Sequence, residues 1–275
     1  MRRKYSQRQK AKALLIFSVL FLAAVAVSGV FLRDAAMVTD FSRKNIAPCL
    51  AYPFGTDWLG RNMFYRKLTG LSTSILIGIT AAGVSALMAL LLGTAAATLG
   101  KKADSVISFF IDMVMGIPHI LLLILISYAC GKGLKGVIIG VALTHWTSLA
   151  RLIRGEVMQL RQSEYILIAE KLGHSKFAIA KKHMLPHLLP QFLVGLVLLF
   201  PHAILHESSI TFLGFGLSTE QPAIGIILSE SMKYLITGKW WLAVFPGIML
   251  VLTVVLFDRG GSALRRILDP GSAHE

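Results

Sequence analysis

An all-α membrane protein with six transmembrane helices is the fold class this sequence predicts, on three observations. Of its 275 residues 55% are hydrophobic and only 15% are charged, with a mean hydropathy of +0.68, whereas a soluble chain carries roughly a quarter charged residues. The apolar residues lie in long even runs without strand-like alternation, which disfavours a barrel. The 28 Lys and Arg outnumber the 14 Asp and Glu, and they are unevenly shared among the segments between the runs. Two cysteines, Cys49 and Cys130, are too few for a disulfide framework or a thiolate metal site.

A spanning helix needs about 20 mostly apolar residues, because lipid offers the backbone no hydrogen-bond partners and about 30 Å must be crossed. The first run, Ala13–Leu32, carries no charge and follows a basic head at 1–12. A cleaved signal peptide is the competing reading, since Ala24-Val25-Ala26 is small-x-small. The run is longer than such signals, and more spans follow, which favours an uncleaved anchor. An extracytoplasmic segment is expected at 33–70. The core, 71–258, then holds the runs Leu71–Leu99, Ser105–Cys130, Gly136–Ala150, His187–Ile210 and Trp240–Phe257. The fourth is short and should borrow residues from both flanks. A tail follows at 259–275.

The basic residues set the orientation. With the N-terminus inside, segments 1–12, 100–104, 151–186 and 259–275 hold 18 of the 28 Lys and Arg. Cytoplasmic loops retain positive charge, so both termini are expected in the cytoplasm. Anionic lipid contact is a side effect of this bias. The basic residues are dispersed and lack interleaved aromatics, so nucleic-acid binding is not expected.

Segment 151–186 is too long to be a passive connector. Glu164–Leu172 has apolar residues at helical spacing, Gly173 interrupts, and Ser175 can cap a second short helix, Lys176–Met184, ending before Pro186. Helix, glycine, helix makes an elbow on which a partner could dock. A surface amphipathic helix is the plainer alternative.

Gly173 and, thirteen positions on, the Leu185-Pro186 pair resemble the EAA loop of ABC-importer permeases. Ala150-Arg151-Leu152-Ile153-Arg154-Gly155 and Glu164-Tyr165 look like the same family. The usual Glu-Ala-Ala stands here as Leu167-Ile168-Ala169, and His183 replaces an apolar residue. Three further motifs resemble the dipeptide/oligopeptide/nickel subfamily, as a C-type permease subunit. They are Gly55-Thr56-Asp57-Trp58-Leu59-Gly60-Arg61-Asn62, with Asn62 for the usual acid; Thr211-Phe212-Leu213-Gly214-Phe215-Gly216; and Ala263-Leu264-Arg265-Arg266-Ile267-Leu268-Asp269-Pro270, with Arg266 deviating.

The resemblance implies a type I ABC-importer permease fold in the inner (plasma) membrane. It implies a second homologous permease subunit, two ATP-binding subunits and an extracytoplasmic solute-binding protein as partners. It assigns ATPase coupling to Ala169, Glu170, Gly173, Leu185 and Pro186. No cofactor is expected on this subunit, and ATP with Mg is used by the partner ATPases. The sequence agrees: Gly131-Lys132-Gly133 lacks the spacing of a phosphate-binding loop.

Ionisable groups inside spans are costly and point to function. His202 and His206 stack one turn apart on the fifth span, Glu207 follows, His145 sits on the fourth span, and His119 follows Pro118 on the third. His145, His202, His206 and Glu207 are expected to line the translocation path. His145, His202 and His206 could also ligate a metal transiently, since neutral imidazole suits nickel, copper and zinc. Hydrogen bonding between helices is the alternative role. The histidine pattern resembles the nickel-type members, so nickel or a nickel chelate is the expected cargo, with peptide import as the alternative. An intramembrane metalloprotease is disfavoured, because His206-Glu207-Ser208-Ser209-Ile210 ends in Ile rather than a second ligand. A passive channel or proton-coupled carrier is a further alternative. Asp112 is expected in an inter-helix ion pair, and Pro118 and Pro201 at kinks.

Overall fold

The computed structural model describes residues 7–268. Part of the basic head and the Asp269-Pro270 end of the last motif lie outside them. The described chain is helical: α1 (Gln7–Phe31), α2 (Arg33–Met37), α3 (Met63–Thr98), α4 (Lys101–Gly116), α5 (His119–Ala129), α6 (Gly133–Arg161), α7 (Glu164–Lys171), α8 (Lys176–Ile179), α9 (Leu185–Phe212), α10 (Ile224–Leu235) and α11 (Trp241–Leu268). Five of these helices are long and apolar enough to cross a membrane, and a bent pair, α4 with α5, makes a sixth span if taken together.

That pair is the third run, Ser105–Cys130, broken at Pro118, where a kink was expected. The chain bends by 102° between α4 and α5. Pro118 has no N–H to continue the ladder and pushes Ile117 out of the helical region, and Ile117 is extended at φ −90°, ψ 137°. Pro201 sits inside an unbroken α9. The fourth run does borrow from its flanks: α6 extends from Gly133 through the basic Arg161.

The core is built from α3, α6 and α9. Ala82, Ala86, Ala89, Gly93 and Ala97 form a buried small-residue stripe on α3, which lets the α6 backbone approach closely, as small stripes do between membrane helices. Ser85 Oγ donates to the Ala142 carbonyl across this contact at 2.8 Å. One turn before this stripe on α3, Gly78 leaves room for Ile204 of α9. Two α6 arginines of the Ala150–Gly155 motif tie down α4: Arg151 pairs with Asp112 at 2.6 Å and Arg154 binds both oxygens of Asp104.

Helix α3 begins at Met63, eight residues before its apolar run. Asn62 caps it, its side chain accepting from the Phe64 N–H at 2.9 Å. The early turns can be buried because Arg66 is paired with carboxylates and Lys67 Nζ stands over the Phe54 and Phe245 rings, 4.5 and 4.6 Å from their centroids. Asp57, fully buried, accepts from the Leu59 and Arg61 N–H groups and pairs with Arg61 (2.6 Å) and Arg66 (3.1 Å). Arg66 also binds Glu230 of α10 at 2.6 Å. The Gly-Thr-Asp motif is thus the knot that fastens segment 38–62 onto α3, α10 and α11. Its Gly60 has φ +76° with the Asp40 carbonyl against it, a position only glycine fills without strain.

Candidate translocation cavity and coupling elbow

The elbow is built from backbone. Helix α7 ends in a complete Schellman motif: the Gly173 N–H donates to the Glu170 carbonyl at 3.0 Å and the His174 N–H to the Ala169 carbonyl at 3.1 Å. Gly173 lies at φ +80° to make this possible. Ala169 is buried under the turn, while Glu170 is exposed. Ser175 then accepts from the Ala178 N–H at 3.2 Å, the cap expected there. The second short helix does not stop before Pro186, however. From Ala180 to Met184 the chain widens into a π-turn, with the Leu185 N–H bonded to the Ala180 carbonyl, and runs straight into α9. Pro186 falls in the first turn of α9, directly after the π-turn. Leu185 and Pro186 are exposed. So are Tyr165 (46%), Ile168 (56%) and Leu172 (73%) on and beside α7.

The second feature is a cavity of about 560 Å³ inside the bundle, where α5, α6 and α9 converge. His119 opens α5, placed there by the Pro118 break. His145 lies in the middle of α6, buried, with Nδ1 3.0 Å from both the Val141 carbonyl and Thr144 Oγ1. His206 comes from α9. Ring centroids stand 4.6 Å apart for His119–His145, 4.4 Å for His119–His206 and 5.1 Å for His145–His206. Their nearest ligand nitrogens all lie within 4.8 Å of one another.

Residues 89–273 match the family model described as "binding-protein-dependent transport system inner membrane component". The chain belongs to this family. It is therefore a multi-pass inner-membrane permease subunit of an ABC importer, which works with separate ATPases and a substrate-binding protein and is not itself an enzyme. The dipeptide transport system permease protein DppC of Bacillus subtilis is 33% identical over 93% of this chain and 80% of its own length. The oligopeptide permease protein OppC of the same organism is 30% identical over 97% of this chain and 87% of its own. Among solved structures, the inward-facing MetNI methionine ABC transporter superposes with a TM-score of 0.63 at 16% identity, over 75% of this chain and 98% of that one. That likeness bears on the fold, which is the type I permease fold.

In this permease subunit the residues expected along the path divide into three groups. His145 and His206 meet in the cluster. His202 lines the same cavity but stands exposed at its edge, so the third imidazole in the cluster is His119 instead. Stacking one turn apart puts His202 and His206 on one face of α9, but His145 on α6 lies level with only one of them. Glu207 does not line the cavity. It is fully buried, and accepts from Thr211 Oγ1 at 3.0 Å and Ser208 Oγ at 3.2 Å within its own helix. The carboxylate therefore ties into the end of α9 near the Thr211–Gly216 turn, which is a second Schellman motif: Gly214 donates to Thr211 and Phe215 to Ile210.

Proposed function

We propose that this subunit forms, with a second similar permease, the pore of an importer for short peptides, driven by two ATPases docked on the α7 elbow. The cargo class is carried by one observation: relatives covering more than nine-tenths of this chain are named for dipeptides and oligopeptides. They support peptide cargo over the nickel expected from the histidine pattern. Both termini lie in the cytoplasm, on the charge bias described above.

The docking reading is supported by the exposed apolar side chains Tyr165, Ile168 and Leu172 around a rigidly capped turn, since an elbow with a fixed shape can transmit a push. The ATPase states can move the permease only through contacts that differ between them. Closure of the ATPases would carry the elbow, the π-turn and α9 together, because no loop separates the π-turn from α9.

The test is uptake in a host deleted for its own peptide importers. Cells expressing the complete transporter should accumulate a labelled dipeptide in an ATP-dependent way. Accumulation of nickel at limiting metal, with no peptide uptake, would overturn the cargo assignment.

A further inference from the structure

The relatives point to peptides, yet the cavity lining is rich in imidazole. His119, His145 and His206 come from three different helices and meet with nearest ligand nitrogens no more than 4.8 Å apart. A role as hydrogen-bonding glue would satisfy their nitrogens, since buried polar groups almost always find partners. That does not happen here: among the described residues, Nε2 of His119 and Nε2 of His145 are buried with no hydrogen-bond partner. The His145 ring is also held as metal-ligating histidines are held. Its Nδ1–H donates to the Val141 carbonyl at 3.0 Å, which fixes the tautomer and leaves the Nε2 lone pair bare. Three neutral imidazoles without thiolate suit late first-row metals rather than magnesium or calcium.

We propose that His119, His145 and His206 form a binding site for a divalent late first-row transition ion, Ni²⁺, Cu²⁺ or Zn²⁺, with its remaining coordination open to the cavity. Bonds of about 2.0 Å in a tetrahedral site place nitrogens roughly 3.3 Å apart. Small movements of the rings, two of which are only half-buried, close the site from its present spacing. Among the described residues no Asp, Glu, Lys or Arg lines the cavity, so none of them offsets the two positive charges. The open position therefore selects an anionic donor, a hydroxide or the carboxylate of an entering ligand. Metal binding rests on this geometry alone; its place on the path rests on the permease reading above.

The test uses the importer without its binding protein, purified in detergent through a tag on this chain and titrated with Co²⁺. The visible ligand-field absorption of bound cobalt reports nitrogen ligation at low coordination number, and Ni²⁺ and Zn²⁺ then compete for it. Wild type should take up one cobalt per chain. His119→Gln, His145→Gln and His206→Gln should each weaken binding at least tenfold, while His187→Ala, an exposed histidine outside the cavity, should not. Each variant is first checked for wild-type membrane level and elution as an intact complex, and at least two must pass for the comparison. A wild-type complex with no cobalt band, or folded cluster variants that bind as wild type does, would overturn the proposal. Labelled dipeptide uptake is measured in parallel: its absence from wild type would sink the peptide reading while leaving the cobalt result standing.

Discussion

Substituting Gly173 separates backbone conformation from side-chain contact at the elbow. A Cβ built at Gly173 meets no heavy atom of the described residues within 4 Å, so a new side chain clashes with none of them at its first atom. What remains is the left-handed conformation, φ +80°, which costs an L-residue roughly 1–2 kcal/mol. Asn tolerates this region and Val, branched at Cβ, does not. A cost of about 1.4 kcal/mol is tenfold in the ratio of capped to uncapped elbow, so Gly173→Val, acting on an elbow whose two states lie close in energy, should deplete the capped form by up to about tenfold. The whole fold, with stability on the order of 5–15 kcal/mol, should survive. The expected pattern is therefore wild-type membrane levels for both variants, most of the uptake kept in Gly173→Asn, and uptake reduced by up to about tenfold in Gly173→Val. The assay is ATP-dependent uptake normalised to permease content. Equal uptake by Gly173→Val and wild type would refute the claim that the Schellman turn transmits the stroke. Equal loss in both variants would show that the partner reads the bare glycine surface instead.

Other perturbations address the rest of the frame. Asp57→Ala strands Arg61 and Arg66 without their shared buried carboxylate, at about 3–5 kcal/mol for such a broken pair. Membrane accumulation and the melting temperature in detergent should both fall, and wild-type values would show that Glu230 alone suffices for both arginines. At Asn62, replacement by Ala should cost about 1 kcal/mol and replacement by Asp almost nothing, since both Asn and Asp cap well; thermal unfolding of the two variants should rank them so. Pro118→Ala restores an N–H and frees Ile117 to become helical, so it should relax the α4–α5 break and carry His119 away from His145. Cobalt binding should then weaken in a folded complex, and an unchanged titration would mean that packing rather than Pro118 holds the bend.

Most of the bundle was legible because lipid leaves the backbone one choice, and the run lengths report it. The edges were not, for reasons specific to each. Helix α3 starts at Met63 rather than Leu71 because Arg66 is neutralised by Asp57 and Glu230, a partner 164 residues away, and hydropathy cannot see a pairing of that range. Helix α10 is amphipathic and short, so no apolar run announces it. Asn62 departs from the family's acid, yet it caps α3 by accepting from the Phe64 N–H, as an Asp could, so the departure leaves the start of α3 intact.

The candidate cavity divides along the same line. Helical spacing correctly put His202 and His206 on one face of α9, but spacing within one helix says nothing of the level at which a second helix presents its ring. That level is set by the α3–α6 small-residue contact, which fixes the height of His145, and it brings His206 rather than His202 to meet it. The position of His119 depends on a bend rather than a period: Pro118 marks the break, while the 102° between α4 and α5 is a tertiary angle that residue spacing does not give, with α5 seated on α6 where Gly136 and Gly140 accept the Ser127 and Leu123 backbone. A proline followed at once by histidine in a membrane run is the signal to weigh. It places an imidazole at the first turn of the second half of a broken span, where His119 meets His145 and His206.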